Sequence, residues 1–140
     1  MMSPITTLKQ FFALSLILAS LFSNFTLAAD DEKPNQPAYV ELTPDFIVNY
    51  TTASSRLKYI KTSITLQTDS SHEAIIQANM PLIRDALVMF LSSRTDAQVS
   101  GAQEREKTRE EAAVAVNIAL KKETNQEPVK SVLFGSFLTQ

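Results

Sequence analysis

The polar and apolar positions of this chain change period along its length, and those changes mark its elements. Between residues 56 and 68, Ile60, Thr62, Ile64 and Leu66 share one parity, while Tyr59, Lys61, Ser63, Thr65 and Gln67 share the other. Successive strand side chains point to opposite faces, so this alternation predicts a strand with one face packed and one in water. Two shorter extended pieces precede it, at 39–42 and 46–50, separated by Thr43-Pro44 and followed by a polar loop over 51–55.

Beyond the strand the period becomes helical. Ile76, Ile83, Leu87 and Phe90, with Ile75, Leu82, Ala86 and Leu91 beside them, follow helical spacing. Ser70 and Glu73 match the S-x-x-E capping box, which predicts a helix start there. Pro81 has no N–H and crowds the carbonyl four residues back, so it should kink or divide the helix. A connection over 92–101 carries capping chemistry at Thr95-Asp96 and at Ser100, which forms a second box-like pair with Gln103. Residues 102–123 predict a long helix with a Lys107–Glu111 pair and a buried stripe of Ala113, Val116 and Leu120. Lys121 and Lys122 fall in its last turn, where they complement the helix dipole.

A turn over 125–128 leads to a final strand, 129–140. Val132, Phe134 and Leu138 lie on one parity and Leu133 and Phe137 on the other, which predicts an interior strand covered on both sides. Gly135 in its middle marks a bulge or a close backbone approach. Strands, then helices, then a returning strand predict an α+β fold: a small antiparallel sheet with two main helices packed on one face.

The first residues read differently. Lys9 is the only charged side chain before a twelve-residue apolar run, 11–22, and Thr26-Leu27-Ala28-Ala29 then meets Asp30-Asp31-Glu32. This is the layout of a secretory signal peptide, with Ala28 and Ala29 as cleavage candidates. The competing reading is a short membrane anchor over 1–29. Spanning needs about 20 mainly apolar residues, and Ser15, Ser20, Ser23, Asn24 and Thr26 dilute the run. Both readings put the rest of the chain outside the cytoplasmic membrane, free or tethered, with the N-terminus toward the cytoplasm before any cleavage. Residues 30–38, with Pro34, Pro37 and several charges, read as a flexible tether, which leaves 39–140 as one domain.

Composition narrows the chemistry. The chain has no Cys and one His, His72, which excludes Cys/His zinc sites, iron–sulfur clusters and thiol catalysis. No metal or cofactor is expected. The net charge is −2, and Arg105, Lys107 and Arg109 are interleaved with Glu104, Glu106, Glu110 and Glu111, so no basic face offers itself to nucleic acid. His72 reads as a solvated residue at a helix start. Glu110 and Glu111 are helix neighbours about 100° apart and do not converge on one site. Gly101 and Gly135 alone cannot build a phosphate-cradling loop. These positions predict no active site.

A set of collinear pieces carries a family resemblance: Phe46-Ile47-Val48-Asn49; Arg56 through Lys61 opening the alternating strand; Met80 through Leu87, with Pro81, Arg84 and Asp85; Leu91 through Thr95; Gly101; the charged helix with Arg109; and Val132 through Gln140. In these pieces the chain resembles the periplasmic domain of FliL, the flagellar basal-body-associated family, over essentially 39–140. The resemblance implies a non-enzymatic accessory protein of the flagellar motor with a stomatin/prohibitin-like domain. It also implies protein partners in the basal body and stator units, homo-oligomers or rings, and attachment to the inner membrane if the leader is kept. Pro81, Arg84 and Asp85 match a motif of the family, and are expected either to stabilise the fold or to meet a partner. The other reading of the chain is a soluble periplasmic binding or scaffold module unrelated to motility.

Overall fold

The computed structural model describes residues 35–140. Chain order is β1 (Pro37–Glu41), β2 (Phe46–Tyr50), β3 (Lys58–Asp69), α1 (Glu73–Ala78), α2 (Met80–Ser92), α3 (Asp96–Val99), α4 (Ala102–Thr124) and β4 (Ser131–Thr139). A 3-10 turn, Ser70–His72, stands before α1. The leader, with Ala28 and Ala29, lies outside the described residues, as does most of the tether. No single helix among the described residues is long and apolar enough to cross a membrane.

β3 organises an antiparallel sheet. β4 pairs with residues 60–67 of β3, β2 with 58–62 and β1 with 65–69. A strand has two hydrogen-bonding edges, so β4 occupies one and β1 and β2 follow each other along the other. The expected alternation holds: Ile60, Thr62, Ile64, Leu66 and Thr68 are buried, and the intervening residues are not. Thr62 and Thr68 tolerate burial because each hydroxyl donates to a carbonyl, of Ser136 at 2.6 Å and of Pro128 at 2.7 Å. β1 begins at Pro37, inside the stretch read as tether. Proline is accepted there because β1 is at the sheet edge.

The helices cover one face of this sheet. α1 packs on β1, α2 on β2 and α4 on β4, and α2 and α4 pack on each other. Ile76, Ile83, Leu87, Leu91, Val116 and Leu120 close over Ile60, Ile64 and Leu66 in a single core. Pro81 does divide the helix: Ser70–Ala78 and Met80–Ser92 meet at 80°. Asn79 caps the break, its side-chain amide donating to the Ile75 carbonyl at 2.8 Å, and Pro81 sits in the first turn of α2, where no N–H is missed.

Several local expectations are corrected. Ser70 and Glu73 form no capping box. The chain passes through a 3-10 turn first, so Glu73 is the first residue of α1 rather than its third. The Ser100–Gln103 pair also fails: Gly101 precedes α4 with φ of 86°, a conformation suited to glycine, and the Ser100 hydroxyl turns back to the Asp96 carbonyl at 2.7 Å. The box signal at Thr95 is real, since Thr95 N–H donates to Gln98 Oε1 at 3.0 Å. Leu91 rather than Phe90 completes the buried stripe of α2, and α4 buries Thr108, Ala112, Val116 and Leu120, with Ala113 only half-buried. Glu111 takes Arg94 as its partner at 2.5 Å instead of Lys107, which ties the connection after α2 to α4.

The largest correction concerns β4. Among the described residues it is an edge strand pairing only with β3, and Val132 is its one buried residue. The register shifts between Ser63 and Ile64, where Gly135 is the extra residue of a bulge. Val132 and Phe134 lie opposite Leu66 and Ile64, and after the bulge Phe137 lies opposite Thr62. All three are therefore on the helix side, and the rings of Phe134 and Phe137 meet with centroids 5.0 Å apart. Leu133 and Leu138 lie opposite Thr65 and Lys61 on the open side, so the bulge makes each parity read from the sequence a mixture of the two faces.

Candidate functional site

The densest polar cluster lies where β2 and β3 meet α3. β2 ends in Tyr50, β3 begins at Lys58, and the first residue of α3 is Asp96. Asp96 accepts from Thr52 Oγ1 at 2.7 Å, Lys58 Nζ at 2.7 Å and the Tyr50 hydroxyl at 3.1 Å. Thr51 N–H adds a backbone bond to the Arg94 carbonyl at 2.9 Å. One carboxylate thus fastens both ends of the loop that carries the exposed Leu57.

The electrostatics follow from the contacts. Hydrogen bonds from Lys58, and then from Thr52, hold the Asp96 carboxyl below the ordinary carboxylate range. Its hydrogen bond to Asp96 pushes the Lys58 ammonium up. Burial first, and its bond to Asp96 second, push the Tyr50 phenol up; its side chain is 8% exposed. An ionised acceptor with three donors already in place is suited to latching a loop. It is poorly suited to taking a proton from a substrate.

The predicted motif residues do not meet there. Arg84, on α2, lays its guanidinium over the Phe46 ring, 4.2 Å from the centroid, and donates to the Leu42 carbonyl at 3.3 Å. It thereby holds the turn between β1 and β2 against the helix layer. Pro81 and Asp85 are exposed on the same helix. His72 is half-buried in the 3-10 turn, away from the Asp96 cluster in sequence and element. Glu110 is exposed, whereas Glu111 is occupied by Arg94.

Two arginines to which sequence reasoning assigned no role bind the layers together. Arg94 stacks on Phe90 at 4.2 Å while pairing with Glu111, and its buried Nε has no acceptor. Arg109 pairs with Glu106 and reaches from α4 to the Ser131 hydroxyl and the Val132 carbonyl, the latter at 3.1 Å. Asn117 ties α4 to the segment leading into β4, exchanging hydrogen bonds with the Val129 backbone at 2.8 and 3.0 Å. Apart from the local pairs Glu106–Arg109 and Phe90–Arg94, these partners come from separate elements, and no local spacing rule joins them. Among the described residues, no group of three or more His, Cys, Asp and Glu side chains is placed to hold a metal ion.

The open face of the sheet is the other exposed feature. Ile47, Lys61 and Leu138 stand in register across β2, β3 and β4, with Ile47 68% and Leu138 58% exposed.

Comparison with known proteins covers this whole domain. The family model described as flagellar basal body-associated protein FliL matches residues 39–140. The chain is also 30% identical over 101 residues to a flagellar protein FliL of Aquifex aeolicus (strain VF5). That alignment covers 71% of this chain and 60% of the relative, so the chain spans less than two thirds of the relative's length.

Proposed function

This chain belongs to the FliL family, and from that premise we propose that it is an accessory protein of the bacterial flagellar basal body, acting by contact rather than by catalysis. Its site of action is the periplasmic side of the inner membrane, and its partners are the stator units. The observation that carries this reading is the extent of the family match. Residues 39–140 run from within β1 onward and take in every described helix and strand except the first residues of β1. The latch at Asp96 and the ties made by Arg84 and Arg109 fit a domain that presents a rigid surface to other proteins.

Deletion of the gene tests the reading. Swimming under viscous load, or swarming, is expected to fall and to recover on complementation, and tagged protein is expected to co-purify with basal bodies or stator subunits. Normal motility in both assays would overturn the motor role. Intact mass of the protein from membrane and periplasmic fractions reports the leader. A mature start at Ala29 or Asp30 gives a free periplasmic protein, and an intact Met1 in the membrane fraction gives a tethered one.

A further inference from the structure

We propose that the outer edge of β4, beside the first turns of α4, binds an extended segment of a partner protein. The segment adds antiparallel to the sheet and carries an apolar residue followed, two positions on, by an acid. Its recognition chemistry is independent of the flagellar reading. The Ile64 carbonyl accepts from Leu42 N–H at 2.9 Å, on the β1 side of β3, whereas Tyr59 exchanges both backbone bonds with Gln140 at 2.8 and 3.0 Å. Backbone groups alternate in direction along a strand. The β4 residues opposite Ile60, Thr62, Ile64 and Leu66 therefore turn their N–H and C=O groups away from β3. They are Thr139, Phe137, Phe134 and Val132. Arg109 takes the Val132 carbonyl at 3.1 Å, and no described strand pairs with the other three. Edges are commonly blunted by charge or proline. β4 has neither in Ser131–Thr139 and relies on its bulge alone.

The same residues line a groove. The bulge puts the rings of Phe134 and Phe137 on one face, with centroids 5.0 Å apart. They border an open groove of about 250 Å³ with Ala102, Arg105, Glu106 and Arg109. A residue added opposite Phe137 shares its face, so its side chain enters the groove and meets both rings. An apolar side chain fits there.

Charge selects the next contact. Asn117 meets Val129 just before β4 and Arg109 meets Val132, so α4 runs antiparallel to β4. Arg105, one turn before Arg109, stands about 6 Å further along. That rise is about two strand residues, which sets Arg105 level with Phe134. An antiparallel segment runs from Phe137 toward Phe134, so the residue two positions after the apolar one reaches Arg105. Glu106 is held by Arg109, whereas Arg105 is exposed and enters none of the described ion pairs. An acid completes that contact, and a base is repelled from it.

Fluorescence polarisation tests this with the labelled peptide Thr-Thr-Leu-Thr-Glu-Thr-Thr and the full chain in detergent, up to about 1 mM. Saturable binding is expected. Replacing the peptide's Leu by Ser should weaken it about 10-fold, and replacing its Glu by Lys about 5-fold. Arg105→Glu should invert the preference, so that the Lys peptide binds this variant about 5-fold better than the Glu peptide. N-methylation of the peptide's Leu, whose N–H faces β4, should abolish binding. N-methylation of the Thr between Leu and Glu, whose N–H faces water, should leave it within about 2-fold. No saturation, equal losses from the two N-methylations, or indifference to the charge at position 105 would overturn the proposal. So would binding that falls as the protein is concentrated, which would assign the edge to a second copy of this chain.

Discussion

On one face of β3, Ile60, Ile64 and Leu66 are sealed beneath the helices; on the other, Lys61 stands between Ile47 and Leu138 in water. The two faces belong to alternate residues of one strand and share the same backbone hydrogen bonds. Only what lies above them differs. The covered face concentrates apolar burial, and even its polar members, Thr62 and Thr68, are drawn into bonds with carbonyls. The open face keeps its apolar groups exposed and loses little stability by doing so. Stability is therefore expected to reside on one side of a single strand.

The most damaging test of that difference is Ile64→Ala. The side chain is 1% exposed and faces the helices, so truncation removes buried area and leaves a cavity. A cost of about 3 kcal/mol is expected, or roughly 15 °C in Tm for a domain of this size. Denaturant melts read it directly. A loss under about 1 kcal/mol would mean that the helix layer is not what holds the sheet.

Gly135→Ala probes the place where the boundary between the faces shifts. A Cβ at 135 would stand 2.7 Å from Ser63 Oγ, and that hydroxyl accepts from Ser136 N–H at 3.0 Å. Ser63 must either turn away and drop the bond or push the strand outward. We expect a loss of about 1–2 kcal/mol. In a Ser63→Ala background most of this penalty should vanish, because the remaining contact is to Cβ at an ordinary 3.7 Å. Equal penalties in both backgrounds would show that the crowding comes from elsewhere.

Gly135 also shows how much of the fold the sequence carries. The alternation over 56–68 and the break at Pro81 are local signals, set by the period of a strand and the chemistry of one ring, and both read correctly. The covering of β4 read wrongly because a bulge inverts parity, and parity means nothing until the register with β3 is known. The capping signals at Ser70 and Ser100 lost to backbone geometry, a 3-10 turn in one case and the positive φ of Gly101 in the other. The Asp96 latch was beyond reach of spacing rules, since Tyr50, Thr52 and Lys58 come to it from 38 to 46 residues away. Arg84 stood midway: its need for a carbonyl was foreseeable, whereas its seat on Phe46 was not.

The latch gives a smaller, pH-dependent test at the rim of the two faces. Asp96 has a lowered folded pKa, so its contribution is present above the unfolded value and lost as pH falls through the folded one. Lys58 has a raised folded pKa, so its contribution is present below the unfolded value and lost as pH rises through the folded one. The loop over 51–57 should be held between those limits and released outside them. Backbone amide shifts for these residues, followed by NMR, should therefore show an acid transition below the ordinary carboxylate range. Asp96→Asn should abolish that transition while the core amides stay in place. An acid transition that survives the substitution would assign it to another carboxylate.

The smallest expected effect belongs to the open face. Ile47 is 68% exposed in the row with Lys61 and Leu138, so little of its area is withdrawn from water on folding. Ile47→Ser gives up some strand preference and a cross-strand contact with the stem of Lys61, together worth about 0.5 kcal/mol. The same substitution at Ile60, one register position away on the opposite face, would bury an unpartnered hydroxyl and create a cavity besides. Measured together by urea denaturation, the two should differ by several-fold in cost. If Ile47→Ser instead approached the cost of the Ile60 substitution, the open face would have to be covered within the folded protein, and the contrast between the two sides of β3 would fail.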